Sequence, residues 1–474
     1  MKARELLKLG LKQGPIIGMA LGACDSAKAG GLNAEDVRAA IKGLITDPNA
    51  YVDDPIFGEV ARELAAPTSP LYEFRNQAEA RGHFAVWGAE NIDAAAIDQM
   101  TNAVRLPISV GGALMPDAHL GYGLPIGGVL ATEDAVIPYA VGVDIACRMM
   151  MSVLPIPIEE DTPDPITRQE DLFIRVIEQN TRFGLGAKFQ GRDRRDHEVL
   201  DRDWDVTPIT AKLKTLAQEQ LGTSGGGNHF VDVGELELAE DFRGLATGRY
   251  VAILSHSGSR GPGHKVCSYY SKLAEARHQK IPRQFRHLAW LPLSGDGDGA
   301  EYWEAMQLMG AFASANHHCI HRTILKDLKM TPLLQVENHH NFAWKETHGG
   351  REVIVHRKGA TPAGKGAVGI IPGSMTAPGF LVEGKGEPSS YDSAAHGAGR
   401  AMSRKQSKET FRWAGVRKEL AKRRVKLVSA GLDEVPGAYK NIKAIMAAQS
   451  NLVAIRARFD PRIVKMADDG YVED

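Results

Sequence analysis

Apolar positions along this chain follow two rhythms. In "NAEDVRAAIKGLI", Asn33 stands where a helix N-cap belongs, and Val37, Ile41, Leu44 and Ile45 follow at helical spacing. In "QEDLFIRVIEQNTRF", Leu172 pairs with Val176 and Phe173 with Ile177, which again predicts a helix. By contrast, "RYVAILSHSG" and "GVDIACRMMMSV" are short apolar runs of the kind that become core strands. Residues 1–84 read as a helical N-terminal extension, with "LAAPTSPLY" as the link onward. Residues 85–474 mix strands and helices without the regular βαβ alternation of a doubly wound fold, so a separate mixed domain of another kind is expected there. No internal repeat is visible.

Composition narrows the class. The 474 residues are 43% hydrophobic, enough for a large core. No run of about 18 apolar residues occurs, so no membrane span is expected. The opening "MKARELLKLGLKQGPIIGMALG" has no continuous apolar core followed by a small-residue cleavage site, so a signal peptide is not expected. Cys24, Cys147, Cys267 and Cys319 are widely spaced and form no C-x-x-C pair, which predicts a reducing, cytoplasmic setting. The sequence also lacks a P-loop and a strand-linked G-x-G-x-x-G.

Charge changes the picture locally. The formal net charge is -1, yet "SRKQSKETFRWAGVRKELAKRRVK" at 403–426 holds ten Lys or Arg against two Glu. That stretch reads either as a solvated helix face or as a phosphate-binding surface. The tail "ADDGYVED" reads as a solvated acidic end.

The chemistry starts in "VGVDIACRM", 141–149, where Asp144 and Cys147 interrupt an apolar run. An ionised carboxylate in an apolar strand is costly unless its charge is compensated. Carboxylate, thiolate and imidazole together make a transition-metal ligand set. Ligand type alone suggests zinc. Spacing of i and i+3 on a strand sends two side chains to opposite faces, so a bulge or strand end near Asp144 is needed to bring both to one site. Sixteen histidines are available. His229 lies in "GGGNHF", His256 ends "VAILSH", His339 and His340 sit in "VENHHNF", and His396 is framed by small residues in "AAHGAGR". The chain has fifty glycines, and those in "GGGNHF", "SHSGSRGPGH", "SGDGDG", "IPGSMTAPG" and "AAHGAGR" stand with His, Ser or Arg, which points to one loop-built site.

Ten stretches in order then carry a resemblance. They are "MPDAHLGYGLPIGGV", "VGVDIAC", "GTSGGGNHF", "SHSGSRGPGH", "HHNFAWKE", "VHRKGATPA", "IPGSM", "SAAHGAGRAMSR", "DEVPGAYKNI" and "PRIVK", spread over roughly residues 85–470. With them the chain resembles the RtcB family of RNA ligases. The resemblance implies one compact α+β domain of stacked β-sheets flanked by helices. It implies GTP- and Mn²⁺-dependent joining of RNA 3′-phosphate or 2′,3′-cyclic phosphate ends to 5′-hydroxyl ends, in RNA repair or tRNA splicing. Two Mn²⁺ ions would share Cys147, one also held by His256 and His340, the other by Asp144 and His229. The family's ligand directly precedes Asn, which selects His340 over His339 because Asn341 follows it. His396 matches the nucleophile that becomes guanylylated.

By position, Asn228, His229, Phe230, Val231, Asp232, His340, Asn341, Pro372, Gly373, Ser374, Met375, His396, Gly397, Ala398, Gly399 and Lys465 match GTP contacts, with Tyr439 beside them. Arg260, Lys358, Arg400 and Arg404 are candidates for RNA or triphosphate oxygens. The resemblance also implies RNA as partner, an archease-like activator as a possible second one, a monomer, and no membrane. Departures are Asp232 where the family usually has Glu, Gly379 in place of a hydroxyl residue, "CRMM" after the bridging Cys, and a short link before "IPGSM". The rival readings are a metal-dependent phosphoesterase on the same scaffold and a non-catalytic RNA-binding protein.

Overall fold

The computed structural model describes the chain except residues 12–14, 66–71, 296 and 470–474. Most of the "LAAPTSPLY" link and the end of the acidic tail therefore lie outside the described residues. The chain divides into two compact units, Met1–Leu71 and Tyr72–Asp474.

The smaller unit is helical. Asn33 caps the helix Ala34–Thr46 by accepting from the Glu35 and Asp36 backbone N–H groups. Val37, Ile41 and Leu44 turn inward and pack with Leu6, Cys24 and Val60 in the unit's own core. The structural division falls earlier than residue 84. Tyr72 and Phe74 belong to the larger unit because their rings pack on Trp290 and Phe285, and Phe84–Val86 forms a strand paired in parallel with Gly112–Leu114.

The larger unit is built on two main sheets. A five-stranded sheet runs in the order Phe84–Val86, Ser109–His119, Ile126–Thr132, Arg351–Lys358 and Phe342–His348. An eight-stranded sheet runs Val368–Ile371, Gly379–Gly384, Val453–Met466, Phe230–Leu238, Gly248–Ser257, Arg148–Pro157 and Leu334–His339, with Lys426–Ser429 alongside Val453–Met466. Its two ends are joined by one side chain. Asn338 accepts from the Ile370 N–H at 2.9 Å and donates to the Ile370 carbonyl at 3.3 Å, as a paired strand would. The helix Glu170–Asn180 buries Phe173, Val176 and Ile177 against the Val231 and Ile463 face of this sheet. The 31-residue helix Asp298–Leu328 packs Ile320, Ile324 and Leu325 on the same face and carries Tyr302, Met309 and Phe312 into a second core with Val141, Ile145 and Phe342.

One expected strand is shorter than its apolar pattern. Pro138–Val141 is a helical turn, Gly142–Cys147 is irregular, and the strand starts only at Arg148. Ala146 takes a left-handed φ of 55°, which breaks the extended run. Apolarity recorded burial there rather than conformation, since Val141, Ile145 and Ala146 are all buried. This irregular turn is also what brings Asp144 and Cys147 to one side.

Candidate active site

Strand register assembles the site. His256 in Gly248–Ser257 pairs with Met149 on one side and Phe230 on the other. Cys147 therefore lies just before one neighbouring strand, and His229 just before the other. Arg148 also pairs with His339, which places His340 at the end of the fourth strand, where the chain leaves for the five-stranded sheet. Four segments far apart in sequence thus meet at one sheet end. The Cys147 Sγ lies 3.1 Å from His256 Nε2 and 3.4 Å from His229 Nε2. His256 Nε2 lies 3.2 Å from His340 Nε2, and Asp144 Oδ2 lies 3.0 Å from His229 Nε2.

Proton accounting shows what this cluster lacks. The Nδ1 of His229 faces the Ser224 carbonyl at 3.0 Å, and that of His256 faces the Asn228 carbonyl at 3.1 Å. A carbonyl only accepts, so both Nδ1 atoms carry the proton and both Nε2 atoms present bare lone pairs. The single thiol proton of Cys147 can serve one of them. Asp144 Oδ2 has no aligned hydrogen bond despite its approach to His229, and His340 Nδ1 has no partner. Burial holds His256 down to about 3 and His340 well below its ordinary value, so both rings are neutral. Burial, with the Asp144 charge, pushes the Cys147 thiol up. Burial resists ionisation of Asp144, and a proton on His229 Nε2 or a cation in its place, together with the Arg260 guanidinium, is what would hold the carboxyl below its usual range.

More acceptors than protons converge here, and a cation resolves that excess. The ligating atoms of Cys147, His229 and His256 lie within 4.8 Å of one another. Thiolate, imidazole and carboxylate suit a transition metal, so these residues can hold a metal ion. Backbone strain concentrates at the same place: Ala146, Asn341 and Arg260 have φ of 55°, 59° and 53°. Gly258 clears space for the carboxylate, because a Cβ there would lie 2.2 Å from both Asp144 oxygens.

His396 follows the short strand Ser393–Ala395, and its ring centroid lies 4.8 Å from that of His340. Its Nδ1 lies 2.7 Å from Asp117 Oδ2, which also accepts from the His396 backbone N–H at 3.2 Å. Asp117 is fully buried. The pair fixes the proton on Nδ1 and leaves Nε2 as the free nucleophilic nitrogen. The sequence reading gave Asp117 no role although "MPDAHLGYG" was among its motifs. A carboxylate inside an apolar strand was the available signal, and it is the same signal that singled out Asp144.

The cluster and His396 open into one cavity of about 770 Å³. Most expected nucleotide positions line it: Asn228, His229, Phe230, Asp232, His340, Asn341, the stretch Pro372–Met375, and Gly397, Ala398 and Gly399. Gly379, one of the departures, lines it too. Burial pushes the Asp232 carboxyl well up, and its Oδ1 has no partner.

Val231 and Lys465 do not line the cavity. They are directly paired across Phe230–Leu238 and Val453–Met466, so they share the opposite face. Val231 is buried against the helix Glu170–Asn180, and the Lys465 ammonium sits 5.8 Å from the Phe183 ring centroid.

The cationic candidates differ among themselves. Arg260 and Lys358 are buried at the cavity, and burial lowers Lys358 to about 8. Arg400 and Arg404 also line it but meet acids. Arg404 pairs with Asp433 at 2.7 Å and with Glu434, while Arg400 reaches Glu434 at 3.4 Å and stacks over Tyr439.

Comparison with known proteins agrees with this geometry. Residues 99–466 match the family model described as tRNA-splicing ligase RtcB. The RNA-splicing ligase RtcB of Escherichia coli is 34% identical over 389 residues, covering 77% of this chain and 92% of its own length. The tRNA-splicing ligase RtcB of Thermococcus kodakarensis is 31% identical, covering 76% of this chain and 89% of its own. The RNA-splicing ligase RtcB of Mycobacterium tuberculosis is 32% identical, covering 77% and 98%. With the family's match spanning the eight-stranded sheet, four strands of the five-stranded sheet, the acceptor-rich cluster and His396, the chain belongs to the RtcB family of RNA ligases.

Proposed function

We propose that this protein joins RNA 3′-phosphate or 2′,3′-cyclic phosphate ends to 5′-hydroxyl ends, using GTP and Mn²⁺, through a guanylylated His396. The observation that carries this reading is the Asp117–His396 pair set beside the acceptor-rich cluster in one cavity. Cys147, His229, His256, His340 and Asp144 would hold two Mn²⁺ ions, which supply positive charge to phosphate oxygens when bound.

His396 Nε2 attacks the α-phosphorus of GTP. A P–N bond forms, the α–β P–O bond breaks, and pyrophosphate leaves. Asp117 keeps the proton on Nδ1 and balances the positive charge that grows on the ring. An oxygen of the RNA 3′-phosphate then takes the GMP and frees His396. The 5′-hydroxyl attacks the activated 3′-phosphate, loses its proton, and expels GMP as the strand closes. A cyclic end is first opened by water. Arg260 and Lys358 face this chemistry with cationic groups suited to phosphate oxygens. The cavity wall around Asp232 and Met375 accommodates the nucleotide.

Incubation with α-labelled GTP and Mn²⁺, followed by a denaturing gel, tests the reading. Wild type retains acid-labile, base-stable label. His396→Ala loses it, still binds Mn²⁺, and still seals RNA supplied with a preformed 3′-guanylylated end. Label mapped to a lysine removes His396 as nucleophile. RNA phosphate release without any label favours a phosphoesterase instead.

A further inference from the structure

Among the described residues Tyr122 is the most exposed large hydrophobic, at 70%, and Leu120 beside it is 55% exposed. Both line the active-site cavity, so they stand at its rim. Exposed apolar side chains usually sit on loose loops, but this loop is held at several points. The Gln99 side chain accepts from the Gly121 N–H at 3.0 Å and donates to the Gly121 carbonyl at 2.6 Å. The buried ammonium of Lys358 donates to the Tyr122 carbonyl. Gly123 has φ of 71°, and a Cβ there would lie 2.5 Å from the His287 carbonyl. The His287 ring meets Tyr122 edge-on, with centroids 6.0 Å apart. The Tyr122 hydroxyl has no hydrogen-bond partner among the described residues.

The loop's position favours one occupant. It joins Ser109–His119 to Ile126–Thr132 in the five-stranded sheet. The nucleotide-matching wall comes instead from the eight-stranded sheet and the segments at 372–375 and 397–399. Lys358 links the rim to the reaction centre, because the next residue, Gly359, packs on His396: a Cβ there would lie 3.1 Å from His396 Cε1. A path to His396 over the Tyr122 loop therefore avoids the nucleotide-matching wall. Flat aromatic faces held rigid beside cationic groups suit the unpaired bases of single-stranded nucleic acid, which stack without sequence preference.

We propose that Leu120 and Tyr122 form a fixed stacking platform for a base of the single-stranded RNA end that enters the cavity. The proposal rests on the ligase reading above. The test uses the full chain with Mn²⁺ and short single-stranded RNAs carrying 2-aminopurine at either the 3′-phosphate or the 5′-hydroxyl end. Stacking quenches this fluorophore on binding. Quenching is expected with wild type, lost in Tyr122→Ala and retained in Tyr122→Trp, and the labelled end that responds identifies the strand. The KM for RNA in joining rises about five- to hundredfold in Tyr122→Ala, the range that one stacked base contributes. Absence of quenching at both ends overturns the platform, as does equal behaviour of the Ala and Trp variants. Loss of protein guanylylation by the same factor as joining also overturns it, since the residue then serves the nucleotide or the fold. Wild type that stacks RNA without joining ends leaves the platform standing and sinks the ligase reading. Joining unaffected by Tyr122→Ala does the reverse.

Discussion

Two clusters of ionisable side chains border the same cavity and solve opposite problems. At the end of the eight-stranded sheet, Cys147, His229, His256, His340 and Asp144 crowd acceptor atoms together with too few protons to satisfy them. Near the start of the basic stretch, Arg400, Arg404 and the exposed Lys408 meet the buried acids Asp433 and Glu434. The first cluster requires a ligand to balance it, whereas in the second both acids already meet cations. The ten basic residues at 403–426 fall in one conspicuous stretch, while the acceptor atoms of the first cluster come from four separate segments.

The strongest way to break this contrast is to remove the Cys147 side chain. Cys147→Ala is expected to abolish metal uptake and guanylylation, a larger loss than the roughly 10–100-fold that follows removal of an outer-shell group. Metal analysis of the purified variant, beside gel labelling, checks this. Two equivalents of bound metal with normal labelling would refute the bridging role. Next in size, Asp117→Asn keeps the metal but slows guanylylation by about 10²-fold or more, because the amide cannot balance the imidazolium charge. A rate within a fewfold of wild type would make Asp117 a packing residue only.

Arg404→Ala probes the second cluster. It leaves buried acids short of a partner, so it should cost about 1–3 kcal/mol of stability by denaturant titration. Unchanged stability would mean that Arg400 and Lys408 suffice. The smallest effect is expected further along. Arg417, Lys418, Lys422, Arg423 and Arg424 are exposed, whereas Lys426 pairs with Glu170 at 3.1 Å. Replacing the exposed five by Ala should weaken RNA binding at low salt only, reducing the salt slope by about 0.7 per lost phosphate contact. Identical slopes for both proteins would return this segment to a solvated face.

The sequence by itself determined the local elements and the inventory of chemistry. Helical spacing placed Ala34–Thr46 and Glu170–Asn180, and the apolar run placed Gly248–Ser257, because each of those patterns depends only on neighbouring residues. The misplaced charge at Asp144 marked the site, since an ionised group in an apolar run demands compensation wherever the chain folds. The tertiary structure decided the rest. It turned 142–147 from an expected strand into an irregular turn, which solved the facing of Asp144 and Cys147 that spacing alone forbade. Register across Phe230–Leu238 and Val453–Met466 carried Val231 and Lys465 away from the cavity that their motif neighbours line. Only folding supplied Asp117 as the partner of His396. Those two residues lie far apart in the chain, and no local pattern records a contact formed between separate strands.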